Sequence, residues 1–267
     1  MRGSGRYHSA LANPVFRPWV VYVMKPATAF VCSPNVTVLV GLVHNDGIAL
    51  MADRASIEPF RIVTPGEPAL GDDLVKLSAS TEVIAGLAGI VAAPGVDLLA
   101  AVRRVVETSR DGSEAHVSLM RALSQAAPIL REHHAYASQV SVFEQPVITV
   151  VLMGGRSLPG GKPQLVAYGI PDSGPPAFHS LQRSLVFAPS SVQLDAEAMI
   201  LQDFSATPVA DQAAIWGNRL QELAPLSIVR QRVDISPAWD HAILTSTGGT
   251  GVVGYDPPPF ELEIPLH

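Results

Sequence analysis

The chain has 267 residues, 48% of them hydrophobic and 16% charged, against a charged share of about 25% in average soluble domains. It is long enough to bury a full core as one sizeable domain or two small ones. Eighteen Lys and Arg against 24 Asp and Glu give a net charge of -6; with no surplus of positive charge to neutralise phosphates, a general nucleic-acid binder is disfavoured. A single cysteine, Cys32, excludes an internal disulfide and a thiolate metal cluster and fits a reducing compartment.

The nearest approach to a membrane segment lies between Pro18 and Ser33, where the apolar run Val20-Val21-Tyr22-Val23 is interrupted by Lys25. That is far short of the roughly 20 residues needed to cross a bilayer. It is also too brief for a secretory signal, and no small-residue cleavage pattern follows. A cytoplasmic protein without a membrane partner is expected. Residues 1–36 are punctuated by Gly3, Gly5, Pro14, Pro18, Pro26 and Pro34 and hold no helical or strand period. They read as a detachable N-terminal extension, leaving 37–267 as the domain.

Regular patterning begins at Thr37. The β-branched run Thr37 to Val43, the turn His44-Asn45-Asp46-Gly47 and the run Ile48 to Ala52 predict a hairpin, with Asn-Asp-Gly supplying positive φ angles. After a Pro/Gly-rich loop from Pro59 to Gly71, Val75 to Ser78 and Glu82 to Ala88 predict two adjacent strands closed by Gly89. Val96, Leu99, Val102 and Val106 then recur at helical spacing, as do Val117, Met120, Leu123, Ala127 and Leu130, predicting two helices with buried stripes.

Strands are predicted again at Val147 to Met153, Gln164 to Tyr168 and Ser184 to Ala188, helices at Leu194 to Phe204 and Val209 to Leu223, and a last hairpin from Ala242 to Thr245 and Val252 to Tyr255. The order is strands, two helices, strands, two helices, strands. Each sheet has an apolar face to cover, so this block pattern suits an α+β fold of two stacked, mainly antiparallel sheets flanked by helices.

Three motifs are set aside on mechanism. Gly249-Thr250-Gly251-Val252-Val253-Gly254 matches a dinucleotide-binding string, but Pro257-Pro258-Pro259 follows where a helix would have to begin, so a glycine hairpin is expected. Gly154-Gly155 and Gly160-Gly161 lie between two predicted strands and lack the Gly-Lys-Ser/Thr ending of a P-loop. His133 and His134 are about 100° apart on a helix and cannot chelate one ion as an i, i+4 pair could; an exposed helix end is expected.

One constellation carries chemistry. Thr37 opens the first strand, Asp53 ends the second and Lys76 begins the third, so strand pairing is expected to bring all three to one end of a sheet. Taken alone, such a triple is more often a β-former, a turn cap and a solvated lysine. The stretches Thr37-Val38-Leu39-Val40-Gly41-Leu42, Asp46-Gly47-Ile48 and Leu50-Met51-Ala52-Asp53-Arg54-Ala55-Ser56 resemble the opening of proteasome β-type subunits and bacterial HslV-type proteases, members of the N-terminal-nucleophile hydrolases. The likeness continues in Lys76-Leu77 and Ile84-Ala85-Gly86-Leu87-Ala88-Gly89. The family usually has one more residue between its Asp and Arg than Asp53-Arg54 allows.

The resemblance implies a four-layer αββα sandwich and a threonine peptidase. Thr37 would be the nucleophile, its own α-amino group the base, Lys76 held by Asp53 the charge beside that amine, and the Gly89 N–H the oxyanion donor. No metal or other cofactor is implied. Supporting Ser and Asp residues of the family have Ser190, Ser191 and Asp234 as candidates, and Leu87, Ile90 and Val91 are candidates for an apolar substrate pocket. The resemblance further implies a peptide or unfolded-protein substrate, a homo-oligomeric ring or stack and, as a further candidate partner, an ATP-dependent unfoldase.

Thr37 must become the first residue for this chemistry. Residues 1–36 are either a propeptide or a mis-assigned start. Self-cleavage in the family usually follows a Gly, whereas Val36 stands here. Valine can be encoded by GTG, which also starts bacterial translation as Met, and loss of that Met would expose Thr37. Two other outcomes stay open: a proteasome-like scaffold that never exposes Thr37, and an amidohydrolase of the same superfamily acting on a small amide.

Overall fold

A computed structural model describes residues 37–54, 74–134, 137–157, 160–188, 196–198, 207–229, 235–236 and 238–255. The predicted extension 1–36, the loop 59–71, most of the helical pattern at 194–204, and Cys32, Ser190, Ser191 and Asp234 lie outside the described residues.

The first hairpin forms as its two apolar runs and turn predict: β1 (Leu39–Val43) pairs antiparallel with β2 (Gly47–Asp53), Leu39 opposite Ala52 and Val43 opposite Ile48. Gly47 has no positive φ. It is glycine because the carbonyl oxygen of Leu244 lies 2.6 Å from where a Cβ would sit. β3 (Leu77–Ala79) and β4 (Val83–Gly89) form the second hairpin. A short pair, β5 (Ala92–Ala93) and β6 (Val96–Asp97), turns at Gly95 with φ +83°.

Helix α1 (Leu98–Thr108) begins two residues later than its periodicity suggests. Val96 belongs to β6 instead, and Asp97 caps the helix by accepting the Ala100 N–H at 2.9 Å, a preferred N-cap arrangement. Helix α2 (Gly112–Glu132) is capped by Asp111, which accepts from Ser113 and Glu114. Its buried face runs through Ala115, Leu119, Leu123, Ala126, Ala127 and Leu130, while Val117, expected inside, is 58% exposed. His133 and His134 direct their Nδ1 atoms at the carbonyls of Ile129 and Arg131, and so finish the helix half-buried rather than solvated.

Next come β7 (Val147–Gly155), β8 (Gln164–Pro171), β9 (Ala177–Leu181), which the patterning did not predict, and β10 (Leu185–Phe187). Gly154 and Gly155 belong to β7 rather than to a turn. A side chain on Gly154 would overlap Ile48 of the facing sheet, and one on Gly155 would come 2.7 Å from Gly112 of α2. Helix α3 (Val209–Val229) precedes β11 (Trp239–Thr245), β12 (Gly248–Gly249) and β13 (Val253–Tyr255). The glycine string at 249–254 is therefore strand and turn, as its prolines suggest.

All pairings among the described strands are antiparallel. One sheet has the order β10-β1-β2-β11-β12, with β13 also on β11; the other runs β3-β4-β7-β8-β9. The period of two along each strand divides the apolar residues into three clusters. Val38, Val40, Met51 and Ile243 of the first sheet pack on Val209, Ala213, Trp216 and Leu223 of α3. Leu39, Ile48, Leu50 and Leu244 of the first sheet meet Ile84, Val150, Leu152 and Leu165 of the second. Ala85, Leu87, Val151 and Met153 turn the other way, onto Leu98, Val102 and Val106 of α1 and Leu119, Leu123 and Leu130 of α2. Each fully buried side chain of this size contributes about 1.5–3 kcal/mol. The fold is α+β, with helices and antiparallel sheets in an arrangement compatible with a sandwich.

Arg156 ties the two sheets together at one end. Its Nη1 donates to Ser246 O at 2.7 Å, in the turn after β11, and its Nη2 to Thr81 O at 3.1 Å and to Glu82, both before β4.

Candidate functional site

The open end of the β1–β2 hairpin is finished by a side chain. Where the ladder would continue, Asp53 N donates to Val38 O at 3.2 Å, and the return bond runs from Val38 N to the Asp53 carboxylate Oδ1 at 2.9 Å. Thr37 is the next residue along and is only 5% exposed. The same Oδ1 accepts from Lys76 Nζ at 3.0 Å, and Oδ2 accepts the Ser236 N–H at 3.3 Å. The Ser236 hydroxyl in turn accepts from Ala238 N at 3.0 Å, which shapes the segment entering β11.

Asp53 and Lys76 meet, and Thr37 adjoins Val38, which bonds the same carboxylate oxygen; strand pairing alone does not account for the first of these contacts. Thr37 and Asp53 come from the first sheet, whereas Lys76 immediately precedes β3 in the second. Sheet-to-sheet packing is what brings the lysine to the carboxylate, and residue alternation within strands carries no information about which sheet a strand joins. Lys76 is fixed in its own sheet because its carbonyl accepts from Leu87 N at 3.2 Å, and Arg103 of α1 donates to the neighbouring Val75 O at 2.7 Å.

Asp53 and Lys76 are both buried. Burial pushes the Asp53 carboxyl up from its ordinary value, opposed by the Lys76 charge and the bonds from Lys76, Val38 and Ser236. Burial likewise pushes the Lys76 ammonium down, opposed by Asp53 and by the charge of Asp240. The ion pair and the hydrogen bonds each group makes offset part of what burial takes from the other.

Gly89 ends β4 with φ +88°, and a Cβ there would overlap the Ile148 carbonyl oxygen; only glycine fits that backbone. Strand alternation orients its N–H. Leu87 donates to Lys76 O on one side and Ile90 donates to Ile148 O on the other, so the N–H of Gly89 is directed to the Lys76 side. Of the expected pocket residues, Leu87 is fully buried against α1 and α2, facing away from the other sheet, and Ile90 and Val91 are half-buried against that same cluster. Leu87 therefore lines no pocket beside Thr37.

Two residues near this site escaped the sequence reading. Ser236 acts through its main-chain N–H, which no side-chain pattern signals. Asp240 was visible in principle: it occupies the first place of the series Asp240, Ala242, Leu244, whose other members face the second sheet. It is 1% exposed and its Oδ1 accepts from Arg54 Nε at 3.0 Å and Nη2 at 2.8 Å.

Among the described residues no three His, Cys, Asp or Glu side chains are grouped to hold a metal ion, and no helix is long and apolar enough to cross a membrane. No protein-family model matches the chain, and neither does any curated protein. Chemically, the arrangement offers a buried amine–carboxylate pair anchored through Val38, one residue from Thr37.

Proposed function

We propose that this chain is a threonine peptidase of the N-terminal-nucleophile type, built as a four-layer αββα sandwich, with Thr37 as nucleophile once it heads the chain. The observation that carries this reading is the buried Lys76–Asp53 ion pair at 3.0 Å, anchored through Val38 one residue from Thr37. A solvated lysine and a simple turn cap would not need each other in this way.

In the proposed reaction the free α-amine of Thr37 takes the proton from its own Oγ as that oxygen attacks a peptide carbonyl. The Gly89 N–H stabilises the oxyanion, a kind of donor whose loss removes about 2.7–4 kcal/mol of transition-state stabilisation. Collapse breaks the C–N bond, the ammonium returns its proton to the leaving amine, and an acyl ester remains. Water, deprotonated by the same amine, then releases the acid and regenerates Thr37. The charge of Lys76 disfavours the ammonium form, which keeps the amine below its ordinary pKa of about 7.7–8.0 and therefore basic at neutral pH. Peptides or unfolded proteins are the proposed substrates and a homo-oligomeric ring the proposed assembly.

The test combines the mature N-terminus with an active-site probe. A peptide epoxyketone requires both the hydroxyl and the free amine of one N-terminal residue to complete its adduct. Material beginning at Thr37 and gaining one probe mass, with no gain in Thr37→Ala, supports the peptidase. A chain that keeps residues before Thr37 and takes no probe overturns it and leaves a scaffold. Labelling without cleavage of any peptide in a panel, but with turnover of small amides, redirects it to an amidohydrolase.

A further inference from the structure

We propose that Arg54 and Asp240 are positioning residues that keep Lys76 on Asp53, with Arg54 occupying a second carboxylate, among the described residues, that could compete for the lysine. The proposal rests on the hydrolase reading for its consequence, but its geometry stands apart from it. Arg54 directly follows Asp53, and its main-chain N–H donates to Ala238 O at 3.1 Å. The β2–β11 register sets Asp53 opposite Trp239 and Ala52 opposite Asp240. The chain therefore leaves Asp53 in position for the Arg54 guanidinium to reach back over β11, where two of its N–H groups grip a single oxygen, Oδ1 of Asp240.

Room for that path is made by the next strand. Gly254 of β13 lies opposite Asp240, and a Cβ on it would overlap Arg54 Nη2 and come 3.1 Å from both Arg54 Cζ and Asp240 Oδ1. Asp240 Oδ2 is buried without a hydrogen-bond partner among the described residues, so this carboxylate retains capacity to accept another donor. The charged groups around Lys76 are then Asp53 and Arg54 from β2 and its end, Asp240 from β11 and Arg103 from α1. His241 stands next in β11, where burial lowers its affinity for a proton. Asp240 acts on Lys76 through space, raising its proton affinity. With Arg54 in place, the two carboxylates and two inner cations balance. Without it, a second anion draws on the ammonium that Asp53 must hold.

The chain has three lysines, Lys25, Lys76 and Lys162, so lysine labelled with 13C at Cε gives three titrating signals in the full chain. Lys25→Arg and Lys162→Arg assign two of them and leave Lys76. Asp240→Asn is expected to lower the Lys76 midpoint by about one pH unit and Arg54→Met to raise it by about as much, the sizes usual for one nearby charge. Arg54→Met with Asp240→Asn should bring it back towards wild type. Gly254→Ala, whose methyl meets the end of the Arg54 side chain most closely, should raise it in the same direction as Arg54→Met and keeps the test open if the latter does not fold. Epoxyketone labelling of Thr37 should show its acidic limb moved to higher pH in Arg54→Met and Gly254→Ala and to lower pH in Asp240→Asn. An unmoved Lys76 midpoint in both Asp240→Asn and Gly254→Ala overturns the proposal. Absence of labelling in wild type overturns the hydrolase reading instead, and the lysine titration still decides this one.

Discussion

Asp53 and Val38 exchange two hydrogen bonds, one main-chain and one through the Asp53 carboxylate, at 3.2 and 2.9 Å. The carboxylate thus does two things at once: it completes the backbone pairing of the first hairpin and presents the same oxygen to Lys76. Any change at Asp53 is felt in the position of residue 37 as well as in the charge of the lysine.

Removing one half of the pair should therefore be severe. Lys76→Met leaves a buried carboxylate without its cation and is expected to destabilise the fold by about 3–5 kcal/mol in urea unfolding, the usual consequence of breaking a buried ion pair. The combination of Lys76→Met with Asp53→Asn should lose clearly less than the sum of the two single changes. Additive losses would mean that the two groups are not coupled.

Gly89→Ala forces a side chain into a left-handed backbone and against the Ile148 carbonyl. The conformational part alone is about 1–2 kcal/mol, and the overlap adds to it. A lowered midpoint in thermal unfolding is expected, whereas Gly95→Ala, where nothing lies within 4 Å of the new methyl, should lose only the conformational part.

The phenol of Tyr168, fully buried and 2.8 Å from His116 Nδ1, is pushed well above the ordinary tyrosine value by burial. The unfolded chain releases this proton near pH 10 while the folded one keeps it. Above that pH the native state binds more protons than the unfolded state, so stability is intact below about pH 10 and falls as pH rises further. Tyr168→Phe should flatten this alkaline loss relative to wild type in denaturant titrations between pH 9 and 11, a window set by the same unperturbed value.

If the proposed chemistry holds, Thr37→Ser keeps an attacking hydroxyl and an amine and should retain measurable peptidase activity, while Thr37→Ala loses it with little change in unfolding midpoint. The rate should rise with pH along a limb whose midpoint lies below the ordinary α-amine range of about 7.7–8.0. A limb at or above that range would remove the role given to Lys76.

The hairpins and helices were readable from the chain because their signals are local. Apolar, β-branched runs and a tight turn mark β1–β2, and the helical stripes mark α1 and α2, whose N-termini Asp97 and Asp111 cap. The short strand β9 went unread because Phe178, His179 and Ser180 are all exposed at a sheet edge, leaving no apolar alternation to detect. At the site, Thr37, Asp53, Lys76 and Gly89 were singled out by their resemblance to a known spacing. Arg54 and Asp240, 186 residues apart, were joined only by the three-dimensional register of β2 and β11. Gly254 looked like part of a turn string until the guanidinium lying over it gave its reason.

Lys76 and Asp53 arrive on different sheets, so the ion pair exists only after the two layers have docked. A nascent or half-assembled chain carries both residues and yet has no apposed charges, so the Lys76–Asp53 contact reports the docking of one sheet on the other.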